Sequence, residues 1–156
     1  MSSEQQILNL IAQYTHYVDQ AKFDKVGDLF ANGKIISPGN VMEGKESVVS
    51  QLSKNLQVYA DGTLRTAHLT TNTVLDIRED KNEATAVSYL TILQDDAERG
   101  LTLQPIAAGR YHDKFKRVDG KWEFSVRELL ITLAGDLSHH AVPNTIDYHT
   151  IENKGK

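Results

Sequence analysis

The chain has 156 residues, of which 40% are hydrophobic and 24% are charged, and its 17 basic and 21 acidic residues give a net charge of −4 at pH 7. This composition predicts one globular domain and disfavours a nucleic-acid partner, which clustered basic side chains would indicate. Because the sequence has no cysteine, disulfides, thiolate catalysis and thiolate-bound zinc are excluded. No apolar run approaches the roughly 20 residues that span a bilayer, and the first residues lack a signal-peptide pattern. We therefore expect a cytoplasmic protein with no membrane partner.

The first third of the chain predicts three helices and a short hairpin. Apolar residues at three- and four-residue spacing, with a serine as N-cap, predict an amphipathic helix over residues 3–20. Asp24 is expected to cap a second, short helix over residues 25–31. Residues 35–42 predict a hairpin around a Pro-Gly-Asn turn, and Gly44 opens the third helix.

The second half of the chain predicts a meander of long strands. After the Asp-Gly pair near residue 62 the hydrophobic period changes from that of a helix to that of a strand. Short connections require antiparallel pairing, so we expect an α+β fold in which a curled, mostly antiparallel sheet surrounds the helices as a cone with one open end. This domain covers residues 1–133, and the tail of residues 134–156 has no clear period and is expected to cover the cavity or a neighbouring subunit. The expected strands are residues 65–78, 83–94, 103–118 and 121–133.

Three stretches of the sequence resemble a known family. They read IAQYTHYVDQAKFDKVGDLFA, HLTTNTVLDI and GRYHDKFKRVDGKWEFSVRELL. With the order of the elements they resemble the NTF2-like superfamily, and within it the SnoaL-like branch, over residues 4–133. The resemblance implies the NTF2-like cone, a fold that carries many unrelated activities. Within the branch, the chain is most similar to the scytalone dehydratase, bile-acid dehydratase and hexachlorocyclohexane dehydrochlorinase families.

The resemblance also implies a catalytic dyad. Those enzymes place an Asp at the end of the first helix beside a His on the first long strand, with an Arg on the last strand; the matching residues are Asp19, His68 and Arg127. A buried carboxylate orients an imidazole and stabilises the imidazolium, so the pair can act as a base at neutral pH, where an Asp alone is too weak. Arg127 would bind a leaving group or an enolate oxygen. Tyr14 matches a Tyr of the dehydratases, where the dehydrochlorinase has a Lys, which favours an oxygenated substrate.

Each of these residues also has a purely structural interpretation. Asp19 is equally compatible with a solvated carboxylate at a helix end, and Tyr14 with a core aromatic residue. The period of two places His68 on the same strand face as Asn72, which is either the wet side of a sheet or the wall of a polar cavity. Arg127 is also compatible with an ion pair to an acid on the next strand.

Three further residues are expected at the substrate-binding site: Tyr17, Asn72 and Asp113. Of these, Asp113 is expected to support the residues that contact the substrate. Adjacent histidines without an accompanying ligand motif do not predict a metal site, and this applies to the histidines of the tail, His139, His140 and His149. The sequence also lacks the motifs of nucleotide binding and of a serine nucleophile. We therefore expect no metal and no cofactor.

These features favour a cofactor-independent lyase or isomerase, of the dehydratase type, that acts on a small and largely apolar molecule. Two alternatives stay open: a non-catalytic domain that binds small ligands or other proteins, and the small subunit of a ring-hydroxylating dioxygenase. A homodimer or homotrimer is expected because an apolar run on the last strand would otherwise lie exposed on the convex face of the sheet. The run comprises Leu129, Ile131 and Leu133.

Overall fold

The computed structural model describes residues 1–143 of the chain. Helices and strands follow one another in an α+β order, as predicted. The helices are α1 (Ser3–Asp19), α2 (Phe23–Leu29) and α3 (Gly44–Asn55). The strands are β1 (Lys34–Ser37), β2 (Asn40–Glu43), β3 (Thr66–Arg78), β4 (Glu83–Asp96), β5 (Leu101–Val118) and β6 (Lys121–Ala134).

The six strands form one mixed sheet in the order β2-β1-β6-β5-β4-β3. The meander from β3 to β6 is antiparallel throughout, as the short connections predicted. β1 pairs with β6 in parallel, so the antiparallel β1-β2 hairpin extends the sheet beyond the last strand of the meander. Helices α1 and α3 pack against the concave side of this curled sheet, and α2 packs against both of these helices, which confirms the predicted cone.

The first residues of α1 and α2 are set by a side-chain cap and by a sharp turn, respectively. The side chain of Ser2 caps α1 by accepting a hydrogen bond from the amide of Gln5 at 3.1 Å. The predicted start of α2 is wrong by two residues, because the chain turns sharply at Ala21, where φ is +53°, and Phe23 already belongs to the helix. The ring of Phe23 is buried in the core, and Asp24 lies in the first turn instead of at the cap.

A β-bulge in β3 inverts part of the predicted face pattern. The pairing with β4 shifts between Thr71 and Val74, and Asn72 has a positive φ of 55°. Beyond the bulge, the inward-facing residues are displaced by one position. The prediction that His68 and Asn72 share a face is therefore wrong: His68 lies inside the cone, whereas Asn72 is exposed.

Two bulges in β6 decide where its apolar residues lie. The first leaves Ser125 without a partner in β5, and the second does the same for Thr132. As a result Leu129 and Ile131 line the interior of the cone, and only Leu133 is exposed, at 69%. The expected apolar run on the convex face is therefore wrong in two of its three residues.

The convex face nevertheless presents apolar side chains from other strands. Large hydrophobic residues exposed on β3 and β4 are Leu69, Val74, Val87 and Tyr89. Within the described residues, no helix is long and apolar enough to span a membrane.

Candidate active site

The interior of the cone encloses a cavity of about 470 Å³. Its wall is built by α1, α3, the turn between β1 and β2, the concave face of the sheet and the segment after β6. Aliphatic side chains make up much of this wall, among them Val18, Leu52, Leu90, Ile92, Leu129 and Ile131. Polar side chains converge on it from several elements, in particular Tyr14, Tyr111, His68 and His140. An apolar pocket with a few convergent polar groups is typical of a site for a small molecule.

The structure brings Asp19 and His68 into direct contact. Nδ1 of His68 lies 2.5 Å from Oδ1 of Asp19, and the backbone amide of His68 donates a hydrogen bond to Oδ2 at 2.9 Å. The hydroxyl of Thr66 donates to the same carboxylate at 2.7 Å. This geometry follows from the chain path, because Asp19 ends α1 and its carbonyl accepts a bond from Leu64 just before β3 begins.

The contact fixes which ring atom of His68 is available for chemistry. The side chain of His68 is only 6% exposed and lines the cavity, whereas Asp19 lies behind it. Since Nδ1 is engaged by Asp19, Nε2 is the nitrogen that remains for a ligand. The arrangement is that of a carboxylate-oriented imidazole base.

Asp19 is held in its ionised form. Partial burial raises the pKa of Asp19. Hydrogen bonds from the ring of His68, the hydroxyl of Thr66 and the amide of His68 lower this pKa, as does the charge of His68, and together they outweigh the effect of burial. The pKa of the carboxyl therefore lies below its ordinary value. An ionised Asp19 can stabilise positive charge on His68.

Arg127 and Asp113 form a buried ion pair beneath the cavity. Nε and Nη2 of Arg127 each donate a hydrogen bond of 2.8 Å to one oxygen of Asp113, and neither side chain is exposed. The guanidinium carbon lies 3.8 Å from the ring centre of Tyr111 and 4.4 Å from that of Tyr14. Arg127 is not part of the cavity wall. The predicted direct contact with a leaving group is therefore absent from this arrangement, and the ion pair supports the two tyrosines instead.

The two tyrosines present neutral hydroxyl groups. Their rings meet edge to face at 5.9 Å, and both line the cavity. Burial raises the pKa of Tyr14 and, more strongly, that of Tyr111, while the charge of Arg127 lowers both to a smaller degree. Each phenol stays protonated and can donate a hydrogen bond.

The three other residues that were expected at the substrate-binding site do not line the cavity. The ring of Tyr17 is partly buried against the core, and the ammonium group of Lys25 lies 5.4 Å from its centre. Asn72 is exposed at the bulge of β3, and Asp113 is occupied by its pair with Arg127. Tyr111 was not among the predicted site residues, although its shared strand face with Asp113 was a usable signal.

The segment after β6 also contributes to the cavity. Leu137 and His140 line it, and a β-bridge joins Ala141 to Leu56. The described part of the tail thus borders the cavity, while His149 lies outside the described residues. Within residues 1–143, no group of three or more potential ligands is placed to hold a metal ion.

Four side chains hold this segment in place, and we call them the tail clamp: Gln57, Tyr59, Gln94 and Asp96. The amide of Gln57 donates to the carbonyls of residues 138 and 141 at 2.7 and 2.6 Å. The hydroxyl of Tyr59 and the amide of Gln94 both donate to the carbonyl of His139, at 2.5 and 3.0 Å. The carboxylate of Asp96, which is fully buried, lies 2.8 Å from Nδ1 of His139.

The fold and the site define an α+β cone that encloses an apolar cavity with an internal His–Asp pair. The model of the SnoaL-like domain family matches residues 1–128, and the chain belongs to this family. No functionally curated protein matches the chain.

Solved structures of similar fold come from several kinds of protein. An NTF2-like protein with a cystatin-like fold from Novosphingobium aromaticivorans has a TM-score of 0.67 and 19% identity, covering 80% of this chain and 79% of that one. A candidate scytalone dehydratase from the same bacterium has a TM-score of 0.66 and 21% identity, over 85% and 86% of the two chains. The beta subunit of a candidate aromatic-ring-hydroxylating dioxygenase from that bacterium has a TM-score of 0.65 and 16% identity, over 87% and 94%. Similarity at these identities shows the fold alone.

Proposed function

We propose that the protein is a cofactor-independent lyase or isomerase that removes a proton from a carbon atom of a small, largely apolar molecule. One observation carries this proposal: the imidazole of His68 faces an apolar cavity while its Nδ1 is bound to Asp19. A carboxylate-oriented imidazole in such a cavity suits carbon acids, because the low local polarity lets fixed charges act strongly on the reacting atoms. The similarity in fold to a candidate scytalone dehydratase is compatible with this chemistry.

In the proposed step, Nε2 of His68 takes a proton from the carbon next to a carbonyl group. The C–H bond breaks, an N–H bond forms, and the electron pair moves to the carbonyl oxygen to give an enolate. Asp19 remains ionised and stabilises the imidazolium. In an isomerisation, the substrate carries a C=C bond conjugated with the enolate, and the imidazolium returns the proton to the far carbon of that system. In an elimination, the electron pair of the enolate forms a C=C bond, the C–O bond of a β-hydroxyl group breaks, and the imidazolium gives its proton to this oxygen, which leaves as water.

Tyr14 and Tyr111 are proposed to support the developing negative charge. Both residues line the cavity, and both phenols are protonated donors. A donor fixed in advance near the enolate oxygen lowers the barrier without reorganising during the reaction. Arg127 is a positioning residue in this proposal, since it contacts the rings and not the cavity.

The proposal is tested by hydrogen exchange on a simple ketone. β-Tetralone is a bicyclic ketone with exchangeable α-hydrogens, and its loss of proton signal in deuterated water can be followed by NMR. We expect the wild-type protein to accelerate this exchange, and we expect the acceleration by the His68→Ala variant to be ~10²–10⁴-fold smaller. The matched control is His112→Ala, which removes an exposed histidine of β5 outside the cavity and should retain the full rate.

The outcome separates the proposed activity from its alternatives. Binding of β-tetralone without any acceleration of exchange would favour a non-catalytic ligand-binding domain. A dioxygenase small subunit would bind a large partner chain and would show no exchange activity alone. Equal activity in the His68→Ala variant would contradict the proposed role of the dyad.

A further inference from the structure

His140 occupies a position that the proposed reaction does not yet use. Its ring is 7% exposed, lines the cavity and lies 5.9 Å from the ring of His68, centre to centre. Nδ1 of His140 is buried and has no hydrogen-bond partner within the described part of the chain. A buried polar atom without a partner costs free energy. The ring as a whole belongs to the cavity lining and makes no hydrogen bond within residues 1–143, so a ligand in the cavity is the group that could satisfy the imidazole.

The position of His140 is fixed by its neighbours along the chain. The tail clamp binds the carbonyls of the residues on both sides of it. Its own carbonyl accepts a hydrogen bond from the backbone amide of Gln57 at 2.9 Å. Since both flanks are held, the imidazole is presented to the cavity by a preorganised backbone, as substrate-binding groups require.

His140 is neutral at the pH at which His68 is proposed to act as the base. Burial lowers the pKa of His140 to about 3, the proximity of His68 lowers it as well, and Asp19 opposes the shift only in part. A neutral imidazole has one N–H donor and one acceptor nitrogen. It can therefore bind an oxygen atom without placing a second positive charge beside the imidazolium of His68.

We propose that His140 is a substrate-binding residue that hydrogen-bonds to the oxygen function of the substrate, beside the base. The inference rests on the proposed function and narrows its substrate class to small apolar ketones or hydroxyketones, as opposed to hydrocarbons or alkyl halides. The N–H of a neutral imidazole would stabilise the oxygen on which negative charge develops when His68 removes the proton.

The test compares two probes that differ in one oxygen atom. β-Tetralone carries the carbonyl group, and tetralin is the hydrocarbon of the same ring system. We expect His140→Phe, which keeps a flat ring of similar size, to bind β-tetralone roughly tenfold more weakly, the effect of one ordinary hydrogen bond. Its affinity for tetralin should equal that of the wild type. His140→Gln, which keeps a donor and an acceptor, should recover part of the loss, and His112→Phe serves as the matched control outside the cavity.

Each result decides the inference separately from the proposed function. Equal losses for both probes in His140→Phe would assign His140 a packing role and overturn the inference, as would unchanged affinity for both, or no binding of either probe to the wild type. If the wild type binds β-tetralone and its exchange still depends on His68, the proposed function stands without the inference. If oxygen-dependent binding is lost in His140→Phe while no exchange occurs in the wild type, the inference stands and the proposed function fails.

Discussion

At the scale of single residues, the carboxylate of Asp19 links the site to the stability of the fold. Its pKa lies below the ordinary value in the folded protein because three hydrogen bonds stabilise the ionised form. In the unfolded chain the same group titrates near ~3.9. A carboxyl with a lowered folded-state pKa stabilises the fold fully above its unfolded pKa, and the contribution is lost as the pH falls through the folded value.

We therefore expect the wild type to lose stability on acidification more steeply than Asp19→Asn. The free energy of unfolding, measured with urea at several values between about pH 6 and pH 3, checks this expectation. The difference between the two proteins should be largest above the unfolded pKa and should shrink toward the acid end. Parallel pH profiles for the two proteins would show that the ionisation of Asp19 does not stabilise the fold.

At the residue scale, the contact between Asp19 and His68 was predicted from the resemblance to the SnoaL-like branch. The hydrophobic pattern by itself marked only the end of the helix that carries Asp19 and the first part of the strand that carries His68. Asn72 was misplaced because a single bulge residue with positive φ shifts the strand phase. His140 was not assigned a role because it lies in a segment without periodicity, whose position depends on hydrogen bonds to distant residues.

At the scale of elements, β5 and β6 are joined beneath the cavity by the pair of Asp113 and Arg127. The pair is fully buried, so removal of one partner leaves an uncompensated charge. We expect Arg127→Met to lower the free energy of unfolding by ~3–5 kcal/mol, as measured by urea denaturation. The double variant Arg127→Met/Asp113→Asn should lose less than Arg127→Met alone, because no buried charge remains.

An exposed ion pair provides the comparison. Lys45 and Asp28 lie 2.6 Å apart at the surface, and Lys45→Ala should lower the free energy of unfolding far less than Arg127→Met does. A loss in Arg127→Met no larger than this would show that the buried pair is not a structural link between the strands.

The type and the order of the predicted helices and strands were confirmed. The prediction of which residues face inward on each strand was less accurate. α1, α3 and the four long strands follow from periodicity and turn residues in the sequence. The inward set of β6 could not be read from a period of two, since two bulges shift it, at Ser125 and at Thr132. A bulge is defined by how one strand pairs with its neighbour, and the residue pattern of a single strand carries no information about that pairing.

At the scale of the whole molecule, the convex side of the sheet predicts self-association. Apolar side chains of β3 and β4 are exposed there, including Val74 at 70% and Tyr89 at 45%, and contiguous apolar patches of this kind are rare on monomers. We expect a homodimer or homotrimer, so sedimentation should give two or three times the chain mass of 17.4 kDa.

Charge placed in the patch should abolish the association. Val87→Glu puts a carboxylate on an outward position of β4 and should give a folded species of 17.4 kDa. A wild-type protein that sediments only as this monomer at micromolar concentration would contradict the prediction. Because Leu129 and Ile131 line the cavity, substitutions there should affect ligand binding and leave the oligomeric state unchanged.

A double-mutant cycle on the exchange of β-tetralone measures whether Asp19 and His68 act as one catalytic unit. Asp19→Asn should slow the exchange by an amount comparable to His68→Ala, because an amide cannot stabilise the imidazolium and favours the wrong tautomer. We expect the double variant to be no slower than the slower single variant, since either change disables the same unit. A double variant slower by the product of the two single effects would mean that the residues act independently, and it would contradict the dyad.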